Sequence, residues 1–423
     1  MKVAIIGTGI AGNVVAHHLY REHDITVYEA ASHIGGHAHT HRVEQEGREY
    51  QLDTGFMVFN DRTYPHFVAL LEQLGVPAQE SCMSFSVRDE RLGFEYNGTR
   101  LNTLFAQRRN LVNPAFIRML LDILRFNRDA PTLLTEPAGE LPLAELLGRG
   151  RYGKNFIEHY IVPMGAAIWS TDPASMLGFP ARFFVRFLHN HGMLSVNDRP
   201  IWRTVQGGSA RYVEALTAPF RDRIRLDTPV EWVRRLPGNT ILKARGHEAV
   251  RYDVVFFACH SDQALALLAE PSALEREVLG AIPYQRNEAV LHTDTRLLPR
   301  RPLAWAAWNY HVLPDPARPV ALTYNLSMLQ RLETPKPFLL TLNHGDAIDP
   351  DRIIKRLSYD HPLYTTQSVS AQARQQELND IGGIYYCGAW WRHGFHEDGV
   401  VSARQALAHF EQDREQRPLY RSA

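Results

Sequence analysis

Near its start the chain places a short apolar run, Val3 to Ile6, directly before Gly7-Thr8-Gly9-Ile10-Ala11-Gly12. No other feature constrains the fold as strongly. A run rich in β-branched residues suits a parallel strand buried on both faces. Ala11, Val14, Val15, His18 and Leu19 then recur at helical spacing. Ile25-Thr26-Val27-Tyr28 predicts a second strand, with Glu29 and Ala30 at its end. In such a strand, turn, helix and strand, Gly7 permits the tight turn. Gly9 lets backbone approach a pyrophosphate, and Gly12 lets helix pack on strand. The anion meets unpaired N–H groups where Ile10 and Ala11 open the helix. Glu29 stands where a carboxylate accepts hydrogen bonds from ribose hydroxyls. A glycine-rich turn without a ligand is the alternative. The full succession of elements, ending in an acid, favours a nucleotide.

The chain has 423 residues, a soft prior of roughly two to three domains at about 150 residues each. Hydrophobic residues at 45% and charged residues at 22% exclude a disordered chain, a collagen-like chain and a small disulfide scaffold. Lys+Arg and Asp+Glu both number 46, which weighs against a nucleic-acid partner. Cys82, Cys259 and Cys387 form no CxxC pair. A reducing cytoplasm is therefore expected. No apolar run reaches the ~18 residues of a spanning helix. The glycine-patterned N-terminus reads as structure and not as a signal peptide.

Later segments repeat the strand signal. Residues 224–233 alternate and turn at Pro237-Gly238-Asn239; residues 253–259 and 383–388 are apolar, and a helix runs from Gly399. Val230 and Ala258 in these segments join the cofactor-binding candidates. The expected fold is α/β. A Rossmann-like domain (residues 1–90, 205–280 and 346–412) is interleaved with an α+β substrate domain (91–204 and 281–345), followed by a polar tail at 413–423. Pro114 to Asp129 predicts a helix with a polar stripe at Arg118, Asp122, Arg125 and Asp129 and a broad apolar remainder. Burial in the substrate domain and insertion into a bilayer interface both suit it.

After Glu29 come Gly35-Gly36-His37 and Thr40, then Asp53-Thr54-Gly55-Phe56-Met57-Val58-Phe59. Here the chain resembles the flavin-containing amine oxidase and phytoene desaturase superfamily, with its Gly-Gly pair and its Asp-x-Gly segment beside the flavin. The likeness resumes at Cys387 to Ala403, the superfamily's closing motif. It implies FAD in a glutathione-reductase-like domain. Gly35, Gly36, His37, Thr40, Thr54, Gly55, Phe56, Met57, Val58, Gly388, Asp398, Gly399, Val400 and Val401 are then cofactor-binding candidates. The helix-start amides of the closing motif would stabilise charge on the flavin N1–C2 side.

A closer likeness is to a bacterial branch of predicted NAD/FAD-binding proteins. It rests on Tyr160 to Ser170, Phe179-Pro180, Asn190 to Leu194, Trp202 to Ser209 and Gly394 to Gly399. Some members are associated with cyclopropane-type fatty acid methyltransferases and with acyl-chain desaturation toward furan fatty acids. The implied substrate is a lipid or acyl phospholipid. The implied partners are a fatty acid methyltransferase and, peripherally, the inner face of the cytoplasmic membrane. The oligomeric state is left open.

Departures from the superfamily pattern shift the chemistry. His37 replaces an Arg, Ala389 replaces an acid, and Asn287 to Asp294 lacks the Lys that amine oxidases hold near flavin N5. A gap-free match from Gly399 puts His396 at a position where those enzymes carry a caging aromatic. The reading that follows is an FAD-dependent oxidoreductase desaturating a lipidic substrate by hydride transfer. The alternatives are a flavin amine oxidase, a flavin-dependent isomerase, and a non-catalytic lipid-binding partner of the methyltransferase. Catalytic candidates are His396, Glu397, Asp398 and His292, although Asp398 serves equally well as a helix cap. His33, His37, His39 and His41 cluster, but phosphate, backbone or water suit them better than a metal. An apolar tunnel is expected to draw on Phe56, Phe59, Trp169, Trp308, Tyr324 and Trp390.

Overall fold

The computed structural model describes residues 1–135, 141–195, 197–315, 318–379 and 382–416. The last residues of the expected polar tail, 417–423, lie outside them. Two sheets organise the molecule.

The first is a five-stranded parallel sheet with strand order Ile224–Arg225, Asp24–Tyr28, Lys2–Ile6, Val254–Phe257 and Ile384–Tyr386. Alternate residues of a strand face opposite sides. Val3 and Ile5 therefore pack with Val15, Leu19, Ala403 and Phe410 of the first helix (Ile10–Leu19) and the last (His396–Gln416). Ala4 and Ile6 share the other face with Val233, Leu242 and Tyr252 of an antiparallel meander, Val230–Leu236, Asn239–Ala244 and Val250–Tyr252. The strands come from the beginning, middle and end of the chain, so closing this sheet brings both terminal helices together.

The second sheet has seven strands in the order Ile353–Pro362, Tyr284–His292, Leu339–Leu342, Ala321–Asn325, Trp308–Val312, Phe85–Asp89 and Phe94–Asn97. It is antiparallel except where Trp308–Val312 runs parallel to Phe85–Asp89. The helices Pro114–Asp129, Val162–Trp169 and Ala181–Asn190 share its core. Strands Phe85–Asp89 and Ile353–Pro362 belong to this sheet, although their positions in sequence suggest the first domain. Ile353–Pro362 is an edge strand with a half-exposed, polar sequence, so it carries no buried-strand signature.

Helix Pro114–Asp129 starts on Asn113, whose side chain accepts from the Ala115 and Phe116 amides. Phe116, Met119 and Phe126 enter the core, whereas Ile117, Leu121 and Leu124 are exposed. The expected burial in the substrate domain thus holds for one face of the helix, and these other apolar side chains face outward. Among the described residues no helix is long and apolar enough to cross a membrane.

The first helix meets the sheet at Gly12, where a Cβ would overlap the Gly7 carbonyl oxygen and lie 3.1 Å from Ala258 Cβ. Backbone cannot yield as a side chain does. Gly12→Ala should therefore cost about 1–3 kcal/mol of stability. Denaturant titration of the two proteins checks this, and an unchanged midpoint would contradict the packing.

Candidate active site

Four backbone segments converge above the parallel sheet. Gly9 caps the first helix without any side-chain acceptor, and the space beside its Cα is clear of protein atoms. The first-turn amides at Ile10 and Ala11 thus have no capping partner. Glu29 accepts from the Thr8 amide and hydroxyl through one oxygen and from the Ala31 amide through the other. Its remaining lone pairs are available beside the turn. Ala30 is exposed next to it, and the Thr228 amide just before Val230 donates to the Glu29 carbonyl.

The second segment, Gly35-Gly36-His37, lies on the first: a Cβ on Gly36 would stand 3.1 Å from Gly9 Cα. In the third, a Cβ on Gly55 would overlap the His37 carbonyl, which accepts from the Phe56 amide. Thr54 bonds the Tyr359 hydroxyl, Met57 is buried, and Val58 packs on the substrate-domain core. Thr40 is used structurally, donating to Asp53 and accepting from the Ala210 amide. The fourth segment is the start of the last helix, where a Cβ on Gly399 would lie 2.5 Å from Ile10 Cγ2. Val400 is buried with Ile10, Val401 faces a cavity, and the Gly388 amide donates to Ser402.

Histidines gather where these segments meet the second sheet. The His37 ring lies 5.2 Å from Tyr359, 5.6 Å from His361 and 6.1 Å from His260. Its Nε2 is buried without a partner. Burial holds His37 well below the usual imidazole value, and holds His361 at about 4 and His396 at about 3. These rings are neutral at neutral pH. His33, His39 and His41 form a separate stack. Among the described residues no group of three or more His, Cys, Asp or Glu side chains could hold a metal ion. His260, His361 and Tyr359 carry no local motif, and only the folded sheet brings them here.

The catalytic candidates have definite partners. His396 bonds the Tyr212 hydroxyl at 2.8 Å and stacks on Phe56 at 3.5 Å. Glu397 accepts from the His66 and Phe67 amides and from His66 Nδ1, so it caps the helix Pro65–Gln73. The last helix starts at His396, not near Gly399, so Asp398 is its third residue and not its N-cap; it accepts from the His393 and Phe395 amides and ties the preceding turn to the helix start. His292 is displaced from the site. It lies eight residues beyond Tyr284 on one strand, about 27 Å at ~3.4 Å per residue. Tyr284 is the end that stacks on His260. His292 is buried against Thr341 and the Asp294 amide, a structural role.

The expected tunnel residues also separate. Trp308 lines a cavity of about 370 Å³ together with Phe85, Tyr96, Tyr160, Met164 and Ile168. Tyr324 packs edge-on behind Trp308. Trp169 sits among Phe179, Phe183 and Phe187 and donates to the His393 carbonyl, while Phe59 packs on Phe56 and Phe67. Trp390 belongs elsewhere: it donates to the Cys259 carbonyl and packs on Trp391 in the parallel-sheet core. A second cavity of about 760 Å³ shares His191 and Gly192 with the first and reaches Glu397, Asp398 and Val401.

A family model described as flavin containing amine oxidoreductase matches residues 10–302. The chain belongs to this family. It is a flavin-dependent oxidoreductase, and its cofactor is FAD. Cyclohexylamine oxidase from Brevibacterium oxydans IH-35A shares 16% identity over 98% of this chain and 99% of its own, with a TM-score of 0.71. A CLA-producing fatty acid isomerase from P. acnes shares 16% over 96% and 98%, with a TM-score of 0.68. Wild-type putrescine oxidase bound to putrescine shares 14% over 97% and 99%, with a TM-score of 0.65. At these identities the likeness shows the fold. No curated protein matches the sequence. For this family member, the uncapped turn at Gly9, the anchored Glu29 and the unpartnered His37 Nε2 fit a flavin dinucleotide.

Burial pushes the Asp398 carboxyl up to about 6 from the usual 3.8, against the pull of its two amide donors. Its contribution to stability is complete below about pH 4 and is lost as the pH rises to about 6. Asp398→Asn removes this titration. The stability of the variant relative to wild type should therefore rise by about 1 kcal/mol between pH 5 and pH 8. Urea titrations at the two pH values check it, and an equal difference at both would contradict a buried, ionising Asp398.

Proposed function

We propose that this flavoenzyme dehydrogenates a lipidic substrate, a fatty acyl chain carried on a phospholipid. The observation that carries the reading is the lining of the 370 Å³ cavity, which falls within the ~300–1,000 Å³ of small-molecule sites. Met83, Met164 and Met193 offer flexible thioethers to a flexible chain, and Trp202 and Trp308 add broad apolar faces. Neither cavity is lined by a lysine. Glu80 is the only carboxylate of the smaller cavity, and it is paired with Arg331 at 3.3 Å. A cationic amine entering there would lose hydration without a free counter-charge. A hydrocarbon chain loses nothing comparable.

FAD, when bound, supplies the hydride acceptor. The chain's own residues do the rest. The cavity walls, Met83, Met164, Ile168, Trp202 and Trp308 among them, offer the acyl chain apolar contact. His37, His361 and His396, held neutral by burial, add no fixed positive charge to this region. The larger cavity carries Arg62, His66 and Arg392 in its wall, each paired there with Asp198, Glu397 or Asp398, so it offers the polar end of the substrate a wall of balanced charge.

Anaerobic mixing of the FAD-loaded protein with phospholipids of varied acyl chains tests this reading. Loss of oxidised-flavin absorbance with removal of two hydrogens from the chain is expected. Retained absorbance with every acyl chain, together with bleaching by an amine, would overturn it; double-bond movement without net bleaching would convert the reading to an isomerase. Filling the cavity is a second test. Ile168→Trp should lower kcat/KM for the acyl substrate at least about tenfold with FAD content unchanged. Full activity would place the substrate elsewhere.

A further inference from the structure

We infer that the face built by helix Pro114–Asp129 and the turns before it seats on a bilayer containing anionic phospholipid. Single exposed leucines are ordinary, but a run of them is not. On this helix Ile117, Leu121 and Leu124 fall at spacings that share one stripe, opposite the buried Phe116, Met119 and Phe126. The preceding turns add Leu101 at 75% exposure, Leu111 at 54% and Val112 at 84%. The helix itself is held rigidly, capped by Asn113 and anchored by its core face.

The charge around this face is one-sided. Residues 100–129 carry six arginines and two acids, in a chain whose total is balanced. Asp122 is taken by Arg118 and Arg125, and Asp129 by Arg128. Among the described residues no carboxylate pairs with Arg100, Arg108 or Arg109. Arg108 and Arg109 lie against the carbonyls of Phe105 and Gly93. Exposed apolar side chains in the same stretch of chain as Arg100, Arg108 and Arg109, which no carboxylate balances, match an interface of acyl chains and anionic headgroups. A second copy of the chain fits less well, because a two-fold contact would set this patch against itself, arginine facing arginine.

Residues lining the smaller cavity lie next to this stretch in the chain. Gly98 and Thr99 line that cavity, and Arg100 and Leu101 follow directly. Ile201, 47% exposed, lines it as well. The inference does not depend on the substrate assignment, because vesicle binding is scored without turnover.

The test is flotation of the FAD-loaded protein with vesicles of phosphatidylcholine, with and without phosphatidylglycerol. Binding should be at least about tenfold greater with phosphatidylglycerol and should fall with added salt. The double variant Leu121→Glu, Leu124→Glu should lose that binding while keeping its FAD content and melting temperature. The double variant Arg108→Gln, Arg109→Gln should weaken it for phosphatidylglycerol alone. Absence of wild-type binding would overturn the inference, as would binding that survives both variants. So would light scattering that shows a dimer dissociated by the leucine changes in a protein that ignores vesicles.

Discussion

The structure depends on a close approach of backbone to backbone. The turn before the first helix, the Gly35-Gly36 turn, the Gly55 segment and the start of the last helix touch through positions where a side chain would crowd the Gly9 Cα, overlap the His37 carbonyl or meet Ile10. This contact lets chain segments hundreds of residues apart present amides and carboxylates to one place. The parallel sheet enforces it, because its strands are drawn from the start, middle and end of the sequence. The helices that follow the first and last strands therefore begin side by side.

Such convergence buries polar groups, and the structure satisfies most of them internally. Asp53 accepts from Thr40 and Ser209, and Asp398 accepts from two amides, yet burial still pushes both carboxyls up to about 6. Glu397 fastens the helix Pro65–Gln73 to the start of the last helix. Acidic residues that look catalytic in the closing motif thus position the helix start. The imidazoles around His37 are neutral, and its Nε2 is left for a ligand.

The glycine pattern, Glu29 and the apolar strands were legible in the sequence because each answers to local geometry: a tight turn, a capless helix, a strand buried on both faces. What was not legible depends on distant partners. His292 lies on a strand with Glu288 on the same face, but nothing local reveals that the strand carries it about 27 Å from the cofactor end at ~3.4 Å per residue. Trp390 follows the closing strand and looks available, yet the Cys259 carbonyl, two residues past the neighbouring strand Val254–Phe257, draws it into the core. The polar edge strand Ile353–Pro362 shows no periodic signal, and it brings Tyr359 and His361 to the site.

Function then rests on what adjoins the convergence. Two cavities share His191 and Gly192 in their walls: the larger reaches Glu397, Asp398 and Val401 at the start of the last helix, and the smaller is walled by Tyr160, Met164 and Trp308. The most direct measurement of this account is a crystal structure of the yellow protein soaked with an acyl phospholipid. The account predicts the FAD diphosphate at the start of the first helix, with elongated density running through the cavity beside Trp308. A diphosphate bound away from Gly9, or a cavity closed by its own side chains, would contradict it.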